Sequence, residues 1–168
     1  MKLALLFLFF VGSFGFSQQT DYVDFKKIKA DIDFDISQKK VSGDITYTLK
    51  FNKSVDSIFI NANDMRFMSV RVFFKGMNWD NHHRGKVNYN YDGQKLWVIY
   101  DFEKKKEYQL RLRYFTNPKK ALYFIDWTNP SASSGQVWTQ GQGKYTSNWL
   151  PSIDEMNEKI EFDLRVTF

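Results

Sequence analysis

The sequence predicts an all-β domain: an antiparallel β-sandwich or a saddle-shaped β-domain with about eight or more strands. Three observations carry that prediction. Apolar residues recur at every second position through most of the chain, the period of a strand whose two faces meet core and solvent. No stretch shows the 3.6-residue apolar period of an amphipathic helix of ordinary length. Aromatic residues make up 18% of the 168 residues, and large rings fill the space between sheets efficiently.

Taken in order, Ile28, Ala30, Ile32, Phe34 and Ile36 alternate with Lys27, Lys29, Asp31, Asp33 and Asp35, the mark of a half-buried antiparallel strand. Gln38-Lys39-Lys40 reads as a turn. The next strand sets Val41, Gly43, Ile45, Tyr47, Leu49 and Phe51 on one face and closes a hairpin with the first. Ile58-Phe59-Ile60 follows, and after the polar break Asn61–Asp64 comes a strand with Met68, Val70, Val72 and Phe74 on one face. Residues 76–85 form a polar loop containing Trp79, His82 and His83. Val87, Tyr89 and Tyr91 lead into Asp92-Gly93, a two-residue hairpin turn, and Leu96, Val98 and Tyr100 return from it. Tyr108, Leu110, Leu112 and Tyr114 face one way, with Gln109, Arg111 and Arg113 facing the other. Leu122-Tyr123-Phe124-Ile125 is apolar, short and ambiguous. Ser152–Lys159 is polar and is expected to form one helical turn. Ile160, Phe162, Leu164, Val166 and Phe168 resume the alternation, and no turn or polar tail follows them.

The first residues stand outside this pattern. Lys2 precedes Leu3–Val11, and a positive start followed by roughly 14 mostly apolar residues is the composition of a secretory signal peptide. The run falls short of the about 20 residues a membrane span requires. Residues 1–18 are therefore assigned to a signal peptide with cleavage near Ser17–Gln19, and residues 19–168 to a single β-domain. The expected address is exported: periplasmic, cell-surface or secreted, with no membrane span after signal cleavage. The abrupt finish of the last strand leads us to expect a domain truncated at its C-terminal end.

The chain contains no cysteine, which excludes disulfides, thiolate metal sites and cysteine nucleophiles. Its formal charge is +5, and the basic residues are dispersed; Lys104-Lys105-Lys106 is flanked by Glu103 and Glu107. No basic stripe or nucleic-acid module is visible, so no nucleic-acid partner is expected. With only 2 histidines, adjacent at His82-His83, the chain has no three-ligand histidine set for a catalytic metal and poor support for histidine-based catalysis. Asp31, Asp33 and Asp35 lie on one strand face; calcium is conceivable there, but a solvated face balanced by nearby lysines explains them without an ion.

The remaining constellation is Val137–Asp154, VWTQGQGKYTSNWLPSID. If it is extended, its period sends Gln140 and Gln142 to one face, with Gly141 and Gly143 leaving the other bare. Paired primary amides offer donors and acceptors together. Judged from residue types alone, such glutamines are more often ordinary edge-strand or loop residues, while exposed polar loops carry function disproportionately.

At Thr139–Asp154 the sequence resembles the aminopeptidase N and leukotriene hydrolase family of zinc metallopeptidases. The family pattern is Gln-x-Gln or Gln-x-Glu, an arginine five residues after the second of these, Pro-x-x-Asp, and a lysine five residues beyond the aspartate. Gln140, Gln142, Pro151, Asp154 and Lys159 occupy matching positions, continued by Phe162 and Val166-Thr167. Val41–Tyr47 and Ile60-Asn61-Ala62 resemble the family's early strands, so the likeness covers roughly residues 24–168 and corresponds to its N-terminal saddle-shaped β-domain. Two positions depart: Ser147 stands where the family usually has arginine, and Met156 where a second proline is common. The family's His-Glu-x-x-His and Gly-x-Met-Glu-Asn motifs do not occur in this sequence.

The resemblance implies that Gln142 helps bind a peptide's free amino terminus and that Gln140 lines the pocket for the first side chain. It implies zinc in the complete family enzyme, where a zinc-bound water activated by a glutamate attacks the first peptide bond, and none bound by this chain. It also implies a missing C-terminal catalytic domain as partner, without which this chain is expected to be inactive. The alternative from another class is a secreted, non-enzymatic β-sandwich that binds carbohydrate or protein at the cell surface through Trp79, Trp127, Trp138 or Trp149. A free-standing relic of the peptidase domain, kept as a partner-binding module, is a third reading.

Overall fold

The computed structural model describes residues 18–74, 86–125 and 135–168. The signal-peptide assignment, the His82-His83 loop, Trp79 and Trp127 lie outside the described residues. The described residues contain ten strands: β1 (Val23–Asp35), β2 (Lys40–Phe51), β3 (Val55–Asn61), β4 (Met65–Phe74), β5 (Asn88–Tyr91), β6 (Lys95–Phe102), β7 (Glu107–Thr116), β8 (Leu122–Ile125), β9 (Gln136–Thr139) and β10 (Glu161–Thr167). They form a five-stranded sheet in the order β10-β1-β2-β7-β4, a three-stranded sheet β3-β6-β5 and the two-stranded pair β8-β9. The all-β prediction holds. Among the described residues no helix is long and apolar enough to cross a membrane.

The two larger sheets share one apolar core. Val41, Ile45, Tyr47, Leu49 and Phe51 of β2 are all buried, as the alternation requires, and meet Ile58, Ile60, Leu96, Val98 and Phe102 of the smaller sheet. Rings bridge the sheets: Phe51 stacks on Phe102 with centroids 4.5 Å apart, and Phe67 meets Tyr91 edge-on at 5.2 Å. The outer face of the large sheet carries charge. Arg111 Nε and Nη2 donate to the two oxygens of Asp44 at 2.8 and 2.7 Å, and Arg165 lies 3.5 Å from Asp31.

Three local expectations are corrected by specific geometry, and β1 begins with an irregularity the alternation did not reveal. In β1 the register shifts between Phe25 and Lys27, so the core residues change parity from Val23 and Phe25 to Ile28 and Ala30. In β4 a similar shift falls between Phe67 and Ser69; Met68 is therefore the extra residue and is exposed, while Met65 takes a core position. β5 and β6 do form a hairpin, but three residues, Asp92–Gln94, connect them, and the Asp92 carboxylate accepts from the Gln94 and Lys95 N–H groups. Residues 152–159 form no helix, only a single turn in which the Glu158 N–H donates to the Glu155 carbonyl at 3.2 Å. Their polar groups are captured from outside: the Asp154 N–H donates to Asn61 Oδ1, Glu155 accepts from the Thr20 N–H, and Glu158 accepts from the Phe25 N–H.

One pairing is parallel. β10 lies beside β1 with Phe162 opposite Ile28, Leu164 opposite Ala30 and Val166 opposite Ile32. Its apolar side thus extends the core face of the large sheet past the cover of the smaller one, and all seven of its residues are exposed.

Candidate functional site

Gln140 and Gln142 do not share a strand. β9 stops at Thr139, and residues 142–145 form a turn, so the strand-period argument for their common face fails. The turn brings them together instead. Both line one surface pocket of about 620 Å³, with Lys120, Ala121, Tyr123, Gly143 and Tyr145.

The backbone of this pocket is tied down at its start. The Gln140 N–H and the Thr139 hydroxyl both donate to the Ala121 carbonyl, at 2.9 and 2.6 Å. Ala121 has φ 65°, a left-handed conformation unusual for a residue with a side chain, and it bends the chain between Lys120 and β8. Gly143, at φ 78°, makes the complementary bend in the glutamine turn at no steric cost. Gly141 is needed for a different reason, since a Cβ there would collide with the Thr146 hydroxyl.

Beyond the turn, the segment 146–154 is anchored to the core by groups the sequence placed far away. A single 3-10 turn, Thr146–Asn148, leads to buried Trp149 and Leu150. Two buried tyrosines hold the next carbonyls: Tyr114 Oη donates to Trp149 O at 2.8 Å, and Tyr47 Oη donates to Pro151 O. Burial pushes both phenols above their ordinary range, so they stay protonated donors at neutral pH. The Asn61–Asn63 segment completes the attachment. Asn61 and Ser152 exchange backbone hydrogen bonds at 2.9 Å, and Asn63 N–H donates to Ser147 O at 2.7 Å.

Ser147, at the position where the resemblance expects arginine, is fully buried. Its hydroxyl donates to Asp154 Oδ2 at 2.9 Å and accepts from Asn63 Nδ2 at 2.9 Å, while Ser152 Oγ donates to the other Asp154 oxygen at 3.1 Å. Two hydroxyls and the Asn63 amide, gathered around the Asp154 carboxylate, therefore occupy this position. Lys159 and Met156 are exposed.

The pocket residues that sequence reasoning missed are Lys120, Tyr123 and Tyr145. Tyr123 had a signal, its place in the short apolar run; Lys120 and Tyr145 had none, because only the Ala121 bend and the turn bring them to Gln140. Of the tryptophans proposed for the carbohydrate reading, Trp149 is a core residue, whereas Trp138 is exposed and packs on Tyr123 with centroids 5.1 Å apart.

Zinc does not fit these residues. Among the described residues no three histidine, aspartate or glutamate side chains converge to hold a metal ion. Glutamine amides and tyrosine hydroxyls suit hydrogen-bonded recognition of a polar ligand.

Comparison with known proteins agrees with this architecture. No curated protein matches the sequence. Among solved structures, the M1 zinc metallopeptidase from Deinococcus radiodurans superimposes with a TM-score of 0.67 at 16% identity, over 86% of this chain and 32% of that one. A mutant of the same enzyme bound to a Tyr-Ser-Ala substrate gives a TM-score of 0.66 at 17% identity over the same shares of each chain. Native leukotriene A4 hydrolase from Saccharomyces cerevisiae gives 0.69 at 15% identity, over 87% of this chain and 23% of that one. The chain thus spans about a third or less of these structures' length, and at such identities they speak for the fold alone. The model of the Peptidase M1 N-terminal domain matches residues 22–168, and the chain belongs to that family.

Proposed function

We propose that this domain is the substrate-recognition part of an exported zinc-dependent aminopeptidase, holding the amino-terminal end of a peptide for removal of its first residue. The observation that carries this reading is the convergence of Gln140 and Gln142 on one pocket with Tyr123 and Tyr145. An ammonium group needs acceptors, and each glutamine offers a carbonyl oxygen while its NH₂ remains free to donate elsewhere. The two phenol rings give the flanking side chain an apolar wall with a polar tip. The signal-like residues that precede the domain support export.

Hydrolysis itself belongs to groups outside this chain, and no bond-breaking step is assigned to its residues. In that arrangement the zinc and its general base are supplied by a C-terminal catalytic domain. The substrate-bound Deinococcus relative supports the peptide class of ligand for this family, not its sequence preference.

In the complete enzyme, Gln142→Ala is expected to lower kcat/KM on aminoacyl substrates by about 10- to 150-fold, the effect of losing one hydrogen bond to a charged ammonium group worth about 1.5–3 kcal/mol. Steady-state kinetics on several substrates checks this. Unchanged constants throughout would reduce Gln142 to a structural residue.

A further inference from the structure

Among the described residues, Lys120 is the one charged side chain lining the glutamine pocket, and no carboxylate lines it. The adjoining cleft, of about 360 Å³, shares Lys120 and Tyr145 with the pocket and adds Lys119 and Lys144. Asp64 is the one carboxylate among that cleft's lining residues. No ion pair joins Lys119, Lys120 or Lys144 to a carboxylate among the described residues. Lys119 and Lys120 thus lie where the described residues provide little compensation, while Lys144 also borders a groove lined by Asp154, Glu155 and Glu158.

Position reinforces composition. Lys120 leads directly into the left-handed Ala121, whose carbonyl is held by the Gln140 N–H and the Thr139 hydroxyl. The backbone therefore fixes Lys120 beside Gln140, and the ammonium needs only its own side-chain freedom to reach a ligand there. Neutral amides cannot repel it, and the neighbouring lysines raise the local positive potential further.

We propose that this pocket selects peptides whose first residue is acidic: Lys120 faces the side-chain carboxylate while Gln140 and Gln142 take the free amino group. Lys119 and Lys144 act at longer range, by attracting the anionic ligand rather than by touching it. The proposal rests on the pocket being the amino-terminus site, and adds to it a preference among first residues.

The test is titration of the isotope-labelled protein, followed by amide NMR at low salt, with Glu-Ala-Ala, Gln-Ala-Ala, Lys-Ala-Ala and N-acetylated Glu-Ala-Ala. Glutamate and glutamine differ in charge but hardly in shape, so their ratio isolates the electrostatic part. The expected result is about two- to fivefold tighter binding of the glutamate peptide than the glutamine one, the range of a solvent-exposed ion pair. The affected amides are those of Lys120, Gln140 and Gln142, the advantage shrinks at high salt, and Lys120→Glu inverts the order of the glutamate and lysine peptides. Because Lys120 is exposed, that variant leaves the fold intact. Equal affinities for the three free peptides at these amides would overturn the acidic preference and leave the amino-terminus site standing. Acetylated peptide binding as well as the free one, or no peptide moving these amides, would overturn the site itself and the preference with it.

Discussion

Tyr47 and Tyr114 decide how firmly the recognition segment is attached to the core. Each is fully buried and spends its hydroxyl on a carbonyl of residues 149–151. Desolvation raises both pKa values above the ordinary 10, and for Tyr47 the nearby Asp154 charge adds to the shift. The unfolded chain ionises both phenols near pH 10, whereas the folded chain keeps both protons, so unfolding releases protons there. Their contribution is fully present below pH 10 and is lost as pH rises above it, at about 2.7 kcal/mol per pH unit for the pair. Tyr47→Phe should remove one tyrosine's share of that slope. At neutral pH it should also cost about 1–3 kcal/mol, because the Pro151 carbonyl loses its donor inside the core. Urea midpoints measured between pH 8 and 11 check both effects; an unchanged alkaline slope in the variant would show that Tyr47 ionises alike in both states. Nothing in the sequence distinguished these tyrosines from other core aromatics, since their partners lie 104 and 35 residues away.

At the level of elements, the strands were legible wherever one face is buried and the other wet, as in β2, where alternation runs unbroken from Val41 to Phe51. It failed at Phe25–Lys27 and Phe67–Ser69, because a bulge adds one residue and reverses parity without changing composition. It failed again over residues 152–159, where long-range hydrogen bonds to Asn61, Thr20 and Phe25 outweigh a weak local helical tendency. The geometry of the glutamine pair was illegible, since a turn rather than a strand brings it together. Gly43 shows how tightly the elements are fitted. A Cβ built there would stand 2.5 Å from Tyr114 Cε1 and 2.8 Å from Ile32 Cδ1, so a side chain must displace the ring that holds the Trp149 carbonyl. Gly43→Ala is expected to cost about 1–3 kcal/mol by overpacking. It should also increase hydrogen exchange at the amides of residues 146–150. A stability loss without that local change would mean that Ile32 moves instead of Tyr114.

For the whole molecule, the decisive surface is β10. It is the edge of the large sheet, and its outward row of backbone groups is open to another strand. One of its faces carries Phe162, Leu164, Val166 and Phe168, exposed at 53, 47, 38 and 76%. Such a contiguous apolar edge is costly in water and marks a surface that another segment or another molecule covers. The M1 relatives have two thirds or more of their length outside the matched part, which fits a cover supplied by further sequence in a longer protein. The 168-residue chain alone should then associate with itself through β10, and Leu164→Lys, placing an uncompensated charge in the middle of the face, should suppress that association. Sedimentation over a range of concentrations measures it, and the substitution should leave the chain's own stability within about 0.5 kcal/mol, because Leu164 is already half exposed. In a longer protein where the face is buried, the same substitution reverses its effect and destabilises, because it then buries an unpaired ammonium. A chain that stays monomeric at all concentrations, or a longer protein indifferent to Leu164→Lys, would mean that β10 meets solvent in the native state.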